Sequence, residues 1–421
     1  MLLRAAPWLV ALALASPAAA RAQEGADEPG FRPIDSRDYA IDLHQGAALG
    51  SARAVGMGGT GVATGVGSSG ALFNPAAVAV RPETSRGDWD WDWHFDYLSS
   101  AVGTDHDNDG RVQEESYGLF DGPLITAGLV GQYRRWGLGL GFLYSKHPIE
   151  RSEALTVIPS VVVGRVHLAR SFLGDELTVG AGFRSGAFQI AQRAADGGDP
   201  VTTELFSIGG SALEVGGLWR PRDGDLRIGV SGSMPVTGDA VEVAECDPLD
   251  CGGDPAAMDD GFVLPERAVL PWQVSIGGAW RRAATAWNRP VAGDWRDEEY
   301  VLFAADLVVT GHVPGAYGVG AFSAGQLQPS GRDVGVSPRA GAEYEWVPGR
   351  FRVRGGTYWE PSRFRDPEGD AIGGRLHLTL GLDLRVWQFG LWGDRHRVRV
   401  SLTSDGARGY GNGGVSIGFW H

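Results

Sequence analysis

The sequence has little lysine and, after its first residues, no long apolar run. Lys146 is the single lysine, the net charge is −14, and the other basic side chains are nearly all arginine. A nucleic-acid partner requires a basic surface, so this composition argues against one. After residue 22, no stretch approaches the roughly 18 consecutive apolar residues of a membrane-spanning helix. The sequence therefore also argues against a helical membrane protein.

Residues 1–22 have the pattern of a secretory signal peptide. Arg4 gives a basic start, an apolar run covers residues 5–15, and residues 20–22 (Ala-Arg-Ala) match a small-x-small cleavage site. The apolar run is too short for a transmembrane anchor. A buried N-terminal helix is the alternative. We expect export and a mature chain that starts near Gln23.

Cysteine is also scarce. Cys246 and Cys251 lie close together in a segment rich in Pro, Gly and Asp. A metal site would need further ligands, and none of the usual kinds lies beside the pair. In an exported protein such a pair typically forms a disulfide, so we predict a loop staple. Because the closed loop is small, its stabilisation should be on the low side of about 2–4 kcal/mol. Free thiols in non-reduced protein from the membrane would exclude it.

Glycine and tryptophan, by contrast, are abundant. Glycine accounts for 65 of the 421 residues, roughly twice its usual share, and there are 15 tryptophans. The mean hydropathy is slightly negative. A transmembrane β-barrel has such a composition, because its lumen side is polar and only alternate residues meet lipid.

Alternation of polar and apolar residues is the dominant pattern. From Trp89 to Tyr97 every odd residue is aromatic and every even residue is polar, and residues 375–386 and 397–402 also alternate. A strand places the two sets on opposite faces. In a soluble sandwich the apolar face would be core. The pattern recurs along the whole chain without a helical segment to cover that face, which favours an all-β transmembrane antiparallel barrel.

We predict about fourteen strands, in a barrel that covers residues 88–421. Most have the roughly 9–11 residues that a tilted strand needs to cross a bilayer. The predicted strands are 88–98, 123–134, 136–146, 158–170, 176–190, 203–219, 225–235, 268–281, 299–310, 335–347, 350–360, 373–388, 396–404 and 411–420.

The predicted connections alternate in length. Those after strands 2, 4, 6, 10 and 12 are short, whereas those after odd-numbered strands are mostly long and polar, such as 99–122 and 236–267. This is the arrangement of outer-membrane barrels, whose short turns are periplasmic. Connection 282–298 is too long for the rule, so either that turn is elaborated or the strand count is off there.

The last predicted strand, 411–420, is rich in aromatic residues. It is either an ordinary edge strand or the terminal strand that closes the barrel and that barrel-assembly machinery recognises. We expect the second.

Residues 23–87 lack sustained alternation, and we predict that they form a plug inside the barrel. Small residues let a chain pack closely and bend sharply, and Asn74-Pro75 would fix a turn before the first strand. Several apolar side chains would each cost about 1.5–3 kcal/mol if left in water: Val55, Met57, Leu72, Phe73 and Val78. We expect the segment to start on the periplasmic side, with the Asn74-Pro75 turn near its base. A loose tail is the alternative.

The same segment resembles the start of the FadL-type outer-membrane transport proteins, which commonly open with R-x-x-G-M-G-G-A and then N-P-A. The matching residues are Arg53, Gly56, Met57, Gly58, Gly59, Asn74, Pro75 and Ala76. Thr60 stands where alanine is usual, and residues 67–69 (Gly-Ser-Ser) stand where acidic residues are frequent. Residues 341–362 are similar to late strands of the family.

The resemblance implies passive uptake of fatty-acid-like or aromatic molecules through a monomeric barrel in the bacterial outer membrane, surrounded by lipid. It implies a lateral opening and a gate made by the N-terminal segment. The gating residues would be Arg53, Gly56, Met57, Gly58, Gly59, Phe73, Asn74 and Pro75. The motif is shared with PorV-like barrels of a secretion system, so a protein-binding scaffold is the alternative. An apolar tunnel behind the plug would favour the channel, and a filled lumen with an apolar loop surface the scaffold.

Two short motifs are typical of enzymes but lack the necessary context. Residues 56–61 match G-x-G-x-x-G, which needs a strand before it and a helix after it. Residues 414–418 match G-x-S-x-G, which needs a strand-to-helix turn. We find no convincing Ser/His/Asp set and expect neither enzyme activity nor an organic cofactor.

The first long loop contains D-x-D-x-D-G at residues 105–110. This spacing points three carboxylates at one hard cation, and the glycine permits a sharp turn. The twelfth position of such a loop normally carries a carboxylate ligand, but here it is Ser116. A neighbouring acidic residue would have to supply that ligand. The candidate Ca²⁺ ligands are Asp105, Asp107, Asp109 and Glu115. A solvated acidic turn is the alternative.

The polar faces of predicted strands 10–13 are densely charged. Opposite charges on adjacent strands can pair inside a lumen and stiffen the wall, which we expect here; a polarity filter for substrate is the alternative. The charged residues are Glu343, Glu345, Arg352, Arg354, Arg375, His377, Asp383, Arg385, Arg397 and Arg399.

Overall fold

The structure is a computed structural model. It describes residues 31–44, 46–47, 49–82, 85, 87–100, 104–111, 123–146, 148–152, 155–194, 201–238, 258–259, 262–289, 295–391 and 394–421. The predicted signal peptide, the Cys246–Cys251 disulfide and the candidate ligand Glu115 lie outside these residues, so those three remain predictions.

Within the described residues, fourteen antiparallel strands form one closed barrel, as the alternation predicts. Each strand pairs with the next along the chain, and the last pairs with the first. The strands are β1 (Trp89–Ser100), β2 (Pro123–Tyr133), β3 (Trp136–Lys146), β4 (Leu155–Phe172), β5 (Leu177–Ala194), β6 (Val201–Trp219), β7 (Leu226–Ser233), β8 (Gln273–Arg282), β9 (Val301–Thr310), β10 (Gly335–Val347), β11 (Phe351–Glu360), β12 (Arg375–Leu391), β13 (Asp394–Ala407) and β14 (Tyr410–Phe419).

The alternation separates a lipid face from a lumen face. In β3, Leu138 and Leu140 are about half exposed on the outside, at 53% and 52%, whereas Gly139 between them is buried. In β1, the polar residues Asp92 and His94 are buried instead. The outer face is therefore an apolar band suited to lipid, and the inner face is polar.

An aromatic belt marks the short-turn rim. Its members are exposed and lie within a few residues of a strand end at that rim: Trp89, Tyr133, Trp136, Phe172, Trp219, Trp280, Trp346 and Trp387. Tryptophan and tyrosine concentrate where a bilayer meets water, because their rings are apolar with a polar edge. The belt therefore places this rim at one membrane surface.

The connection after β8 is elaborated, and the strand count is correct. Between β8 and β9, the described residues 283–289 and 295–300 lie at the short-turn rim. Trp287 and Tyr300 of this stretch are buried in one cluster with Met57 and Leu302. The extra length therefore contributes to the core at this rim.

A sheet of five short strands lies at the long-loop rim. Its order is Val236–Gly238, Arg267–Leu270, Ala40–Asp42, Ala316–Gly318 and Pro329–Ser330. Ala40–Asp42 runs parallel to both of its neighbours. The described part of the N-terminal segment thus begins at the long-loop rim. The expectation that residues 40–80 begin on the periplasmic side is wrong, because the backbone of residues 40–42 is hydrogen-bonded by outer loops.

The remaining elements are short. The further strands are Arg32–Pro33, Ile149–Ser152, Met258–Asp259, Phe262–Val263 and Gln326–Leu327. The helices are α1 (Ala52–Gly56), α2 (Gly67–Gly70) and α3 (Val319–Ser323), with 3-10 turns at Pro75–Ala79 and Leu173–Asp175. Among the described residues, no helix is long and apolar enough to cross a membrane.

Candidate functional site in the barrel lumen

Residues 46–82, here called the lumenal segment, lie against the inner face of the wall. Ser51 caps the start of helix α1, because its side chain accepts a hydrogen bond from Ala54 N. Most side chains of the segment are buried, including Val55 and Met57 at 1% exposure each. The segment is therefore packed inside the ring of strands.

Three inward-facing aspartates of the wall accept hydrogen bonds from the segment's backbone amides. The pairs are Ala52 N to Asp96 (2.7 Å), Ser68 N to Asp92 (2.6 Å), and Gly61 N and Val62 N to Asp306 (2.7 and 3.0 Å). A buried carboxylate is costly without such donors, and bonds to a charged acceptor are stronger than neutral ones. These three aspartates were not among the residues predicted from the sequence, although single acids on lumen faces were a visible signal.

Wall glycines let the segment's backbone approach closely. An added Cβ would clash with segment backbone at Gly137, Gly180, Gly229, Gly341 and Gly356. Gly58, which lies against Gly356, has φ +65°, a conformation that glycine adopts without strain. Part of the high glycine content thus serves the contact between wall and segment.

The first group of predicted gating residues lies together against β10–β12. Arg53 Nε is 3.4 Å from Glu343 Oε2. Met57 and Gly56 lie where Gly341 and Gly381 leave room. The Gly59 carbonyl accepts from Arg339 Nη1 at 3.0 Å. Their position is compatible with a gate, and that role remains a prediction.

The Asn74-Pro75 turn lies close to the short-turn rim. Asn74 Nδ2 donates to Val62 O at 2.9 Å and to Gly217 O at 3.0 Å, two residues before the end of β6. Asn74 Oδ1 accepts from Ala76 N at 3.0 Å and caps the following 3-10 turn. Phe73 and Pro75 both line a cavity on the side of the long-loop rim.

A cavity of about 250 Å³ lies between the lumenal segment and the long-loop rim; we call it the outer cavity. Its larger apolar side chains are Leu43, Leu49, Leu72, Phe73, Leu124, Leu143, Val161, Val163, Leu270 and Val308. Its charged or titratable side chains are His44, His106, Arg165, Arg184, Glu214, Arg339 and Tyr410. The cavity can therefore take an apolar body with one charged or polar end.

The polar patch of the outer cavity is centred on Glu214. His167 Nε2 lies 2.8 Å from Glu214 Oε2, and Arg165 Nε lies 3.5 Å from the same oxygen. Arg184 Nε is 3.9 Å from Oε1, while its Nη2 donates to the carbonyls of Met234 and Pro271. Two arginines thus share one carboxylate, which leaves the patch with a positive balance.

A second cavity, of about 90 Å³, lies at the short-turn rim on the other side of the segment; we call it the inner cavity. Its arginines are Arg53, Arg81, Arg227, Arg281, Arg296 and Arg352. Its aromatic residues are Trp287, Trp295, Tyr300 and Trp420, and its carboxylates are Asp297, Glu343 and Glu345. The lumenal segment contributes to both linings and lies between the two cavities.

Most of the predicted charged side chains on β10–β13 pair with one another, as expected from the sequence, whereas Arg397 pairs with Asp297 of the connection after β8. Arg354 Nε lies 2.5 Å from Glu343, and its Nη1 lies 2.6 Å from Asp383. Arg352 Nε lies 2.5 Å from Glu345. Nearer the long-loop rim, His377 contacts two carboxylates, Glu360 at 2.8 Å and Asp405 at 2.9 Å. These networks fill the lumen side of the wall and hold adjacent strands together.

The acidic residues of the first outer loop lie together. Carboxylate oxygens of Asp105, Asp107 and Asp109 are within 4.8 Å of one another. Asp105 already accepts from the amides of Asp109 and Gly110, at 3.0 Å each. Burial and the neighbouring Asp105 raise the pKa of Asp109 to about 7. A divalent cation would offset this repulsion. The Ca²⁺ site remains a prediction, since Glu115 lies outside the described residues.

One buried set has the residue types of a catalytic triad. Ser68 Oγ lies 2.9 Å from His94 Nδ1, but Asp96 is 3.8 Å from His94 Nε2, and Ser68 also donates to Asp92 at 2.7 Å. The set links the segment to β1 and lines neither cavity. Ser416 of the G-x-S-x-G motif lies within strand β14. Ser68 and His94 are each only 2% exposed, so this pair is closed off from both cavities and from the surface.

Solved structures share this fold. A FadL homologue from Pseudomonas aeruginosa is 13% identical, over 90% of this chain and 99% of that chain, with a TM-score of 0.52. The CymD monoaromatic hydrocarbon channel is 12% identical, over 90% of this chain and 97% of that chain, with a TM-score of 0.51. The toluene transporter TodX from Pseudomonas putida is 14% identical, over 90% of this chain and 99% of that chain, with a TM-score of 0.50. No family model and no curated protein matches the sequence.

The fold and the surface together define a class of protein. The chain is a transmembrane β-barrel with the architecture of FadL-type outer-membrane channels. Its apolar band, aromatic belt and asymmetric rims are those of a bacterial outer-membrane protein. The fold expected from the N-terminal motif is confirmed.

Proposed function

We propose that this protein is an outer-membrane channel for passive uptake of hydrophobic or amphipathic small molecules. The outer cavity carries the proposal, because it combines mostly apolar walls with a small basic patch beneath the outer loops. Ligand sites are typically apolar concavities with a few convergent polar groups. The neighbours described as hydrocarbon or toluene channels support the same substrate class.

The lumenal segment would act as the gate. It separates the two cavities, and its backbone is held by Asp92, Asp96 and Asp306. A shift of this segment would connect the cavities without opening the wall. Deletion of residues 46–80 should leave a folded barrel that leaks small solutes from liposomes. Unchanged permeability would remove the gating role.

The channel is tested by filling the outer cavity. Val308 faces the cavity and is 4% exposed, whereas its neighbour Leu307 faces lipid and is 42% exposed. Val308→Trp should slow uptake of a monoaromatic hydrocarbon and of a long-chain fatty acid into proteoliposomes. Leu307→Trp is the matched control and should transport normally.

Other results would redirect the proposal. If Val308→Trp folds and transports as well as Leu307→Trp, the outer cavity is not on the pathway. If the unaltered protein transports neither compound, the PorV-like scaffold becomes the better hypothesis, and binding of a periplasmic or secreted protein should then be sought.

A further inference from the structure

The inner cavity differs from the outer one in charge. Its described lining contains six arginines and three carboxylates. Asp297 is already paired with Arg397, at 2.5 and 2.8 Å. Glu343 is shared by Arg53 and Arg354 and also accepts from Tyr300 at 2.6 Å. Glu298 pairs with Arg281 at 3.3 Å. Even when this carboxylate is counted, the arginines around the inner cavity outnumber the carboxylates.

Several of these arginines are stacked on aromatic rings. The distances from guanidinium carbon to ring centroid are 3.7 Å for Arg227 on Trp287, 4.2 Å for Arg281 on Tyr300, and 3.9 Å for Arg352 on Trp420. Stacking fixes the plane of a guanidinium while its N–H groups point outward in that plane. The three guanidiniums therefore add positive charge to the cavity in fixed orientations.

Two arginines of the lumenal segment are held less firmly. Arg53 contacts Glu343 at 3.4 and 3.5 Å and Thr64 O at 3.4 Å, which are long for charged partners. Arg81 donates to Gly87 O through Nη2, while its buried Nε has no hydrogen-bond partner among the described residues. Arg53 can turn toward a ligand while Arg354 and Tyr300 still hold Glu343, and Arg81 has an unused Nε–H donor.

We propose that the inner cavity is a binding site for a small organic carboxylate with an aromatic or short aliphatic body. Arg53 and Arg81 donate to the carboxylate, because a guanidinium fork matches its two oxygens. The rings of Trp295 and Trp420, which line the same cavity, pack on the body. The site lies on the periplasmic side, and it would exist whether the barrel transports solutes or not.

Equilibrium dialysis of the full-length protein in neutral detergent tests the site, with benzoate and benzyl alcohol as probes. The two have nearly the same shape and differ in charge. Benzoate should bind and benzyl alcohol should bind at least roughly tenfold more weakly. Arg53→Gln with Arg81→Gln should weaken benzoate binding roughly tenfold to a hundredfold, the range for charge-assisted hydrogen bonds.

Matched controls separate this site from the outer cavity and from surface charge. Arg165→Gln removes a basic group of the outer cavity. Arg134→Gln removes a rim arginine whose side chain is 64% exposed. Arg134→Gln should not change benzoate affinity, and in Arg165→Gln the loss caused by adding Arg53→Gln with Arg81→Gln should be as large as in the unaltered protein. If the double variant does not fold, Arg81→Gln alone serves, since Arg81 belongs to none of the charged networks of the wall.

Equal binding of benzoate by the folded variant and the unaltered protein would overturn the site. Equal affinity for benzyl alcohol would overturn charge recognition. A loss of affinity in Arg165→Gln with no further loss on adding Arg53→Gln and Arg81→Gln would place the ligand in the outer cavity. None of these results bears on uptake of a neutral hydrocarbon, so failure here is distinguishable from failure of the channel.

Discussion

The two cavities on either side of the lumenal segment have different chemistry. The outer cavity is lined mainly by aliphatic and aromatic side chains with one basic patch around Glu214. The inner cavity is lined by arginines and the rings on which several of them stack. Binding in the outer cavity would be favoured by removal of apolar surface from water. Binding in the inner cavity would be favoured by attraction between the arginines and a negative charge on the ligand. The lumen is therefore polarised from the long-loop rim to the short-turn rim.

The wall between the cavities is layered in the same direction. On β10–β12, Gly341, Gly356 and Gly381 form a layer without side chains, against which the segment packs. Charged networks lie on both sides of this layer, one around His377 and one around Arg354. On these strands the segment's backbone approaches the wall at glycine positions, and ion pairs occupy the lumen on both sides of that contact.

The largest effect should come from the network that adjoins the inner cavity. Arg354→Ala would leave Glu343 and Asp383, both buried, without the partner that they share. Breaking a buried pair in this way costs about 3–5 kcal/mol. Denaturant unfolding of the protein in lipid or detergent measures the loss.

The control for that substitution is an exposed ion pair. Arg135 and its partner Asp175 are 58% and 55% exposed, so Arg135→Ala should cost no more than about 1 kcal/mol. Equal losses for the two variants would mean that the buried network adds little. Arg354→Ala should also weaken benzoate binding in the inner cavity, because Glu343 would then draw on Arg53 alone among its arginine partners.

A smaller effect is expected from the glycine layer. In Gly356→Val the side chain would strike Gly58 and displace the segment, at a cost of about 1–3 kcal/mol for overpacking. Liposomes that contain this variant should leak small solutes as the two cavities join. Limited proteolysis should also cut the segment faster.

Gly355 provides the matched control in the same strand. It faces outward, and its nearest neighbours would be Thr379 O at 3.9 Å and Leu380 Cδ2 at 4.0 Å from an added Cβ. Liposomes that contain Gly355→Val should therefore not leak, and this variant should be as stable as the unaltered protein. Leakage from both variants, or from neither, would show that the segment is not what separates the cavities.

The smallest effect concerns the loop over the outer cavity. His106 lines that cavity and lies within the acidic turn. If Ca²⁺ binds there, adding it should protect residues 104–111 from protease relative to a chelator, and Asp107→Asn should abolish the protection. Asp105 is less suitable for this substitution, because its carboxylate also accepts hydrogen bonds from two backbone amides of the turn. Identical digestion of the unaltered protein in Ca²⁺ and chelator would leave only an acidic turn.

Strand positions could be predicted from the sequence because lipid and lumen impose opposite demands on successive residues. The predicted 335–347 coincides with β10, and the closing pair of β14 with β1 was also anticipated. The course of the N-terminal segment could not be predicted. Its strand at residues 40–42 depends on hydrogen bonds from outer loops more than 200 positions away, and local composition carries no record of such partners.

The sequence by itself determined which residues of each strand face lipid, because alternation with period two is a local property of an extended chain. It also determined that β10–β13 carry opposite charges on one face. Only the tertiary structure decided which charges meet, that Asn74 is held by Gly217, and which wall glycines lie beneath the segment's backbone. The two cavities were likewise decided only by the tertiary structure. Their linings collect residues from most of the chain, and closure of the barrel, rather than any local pattern, brings those residues together.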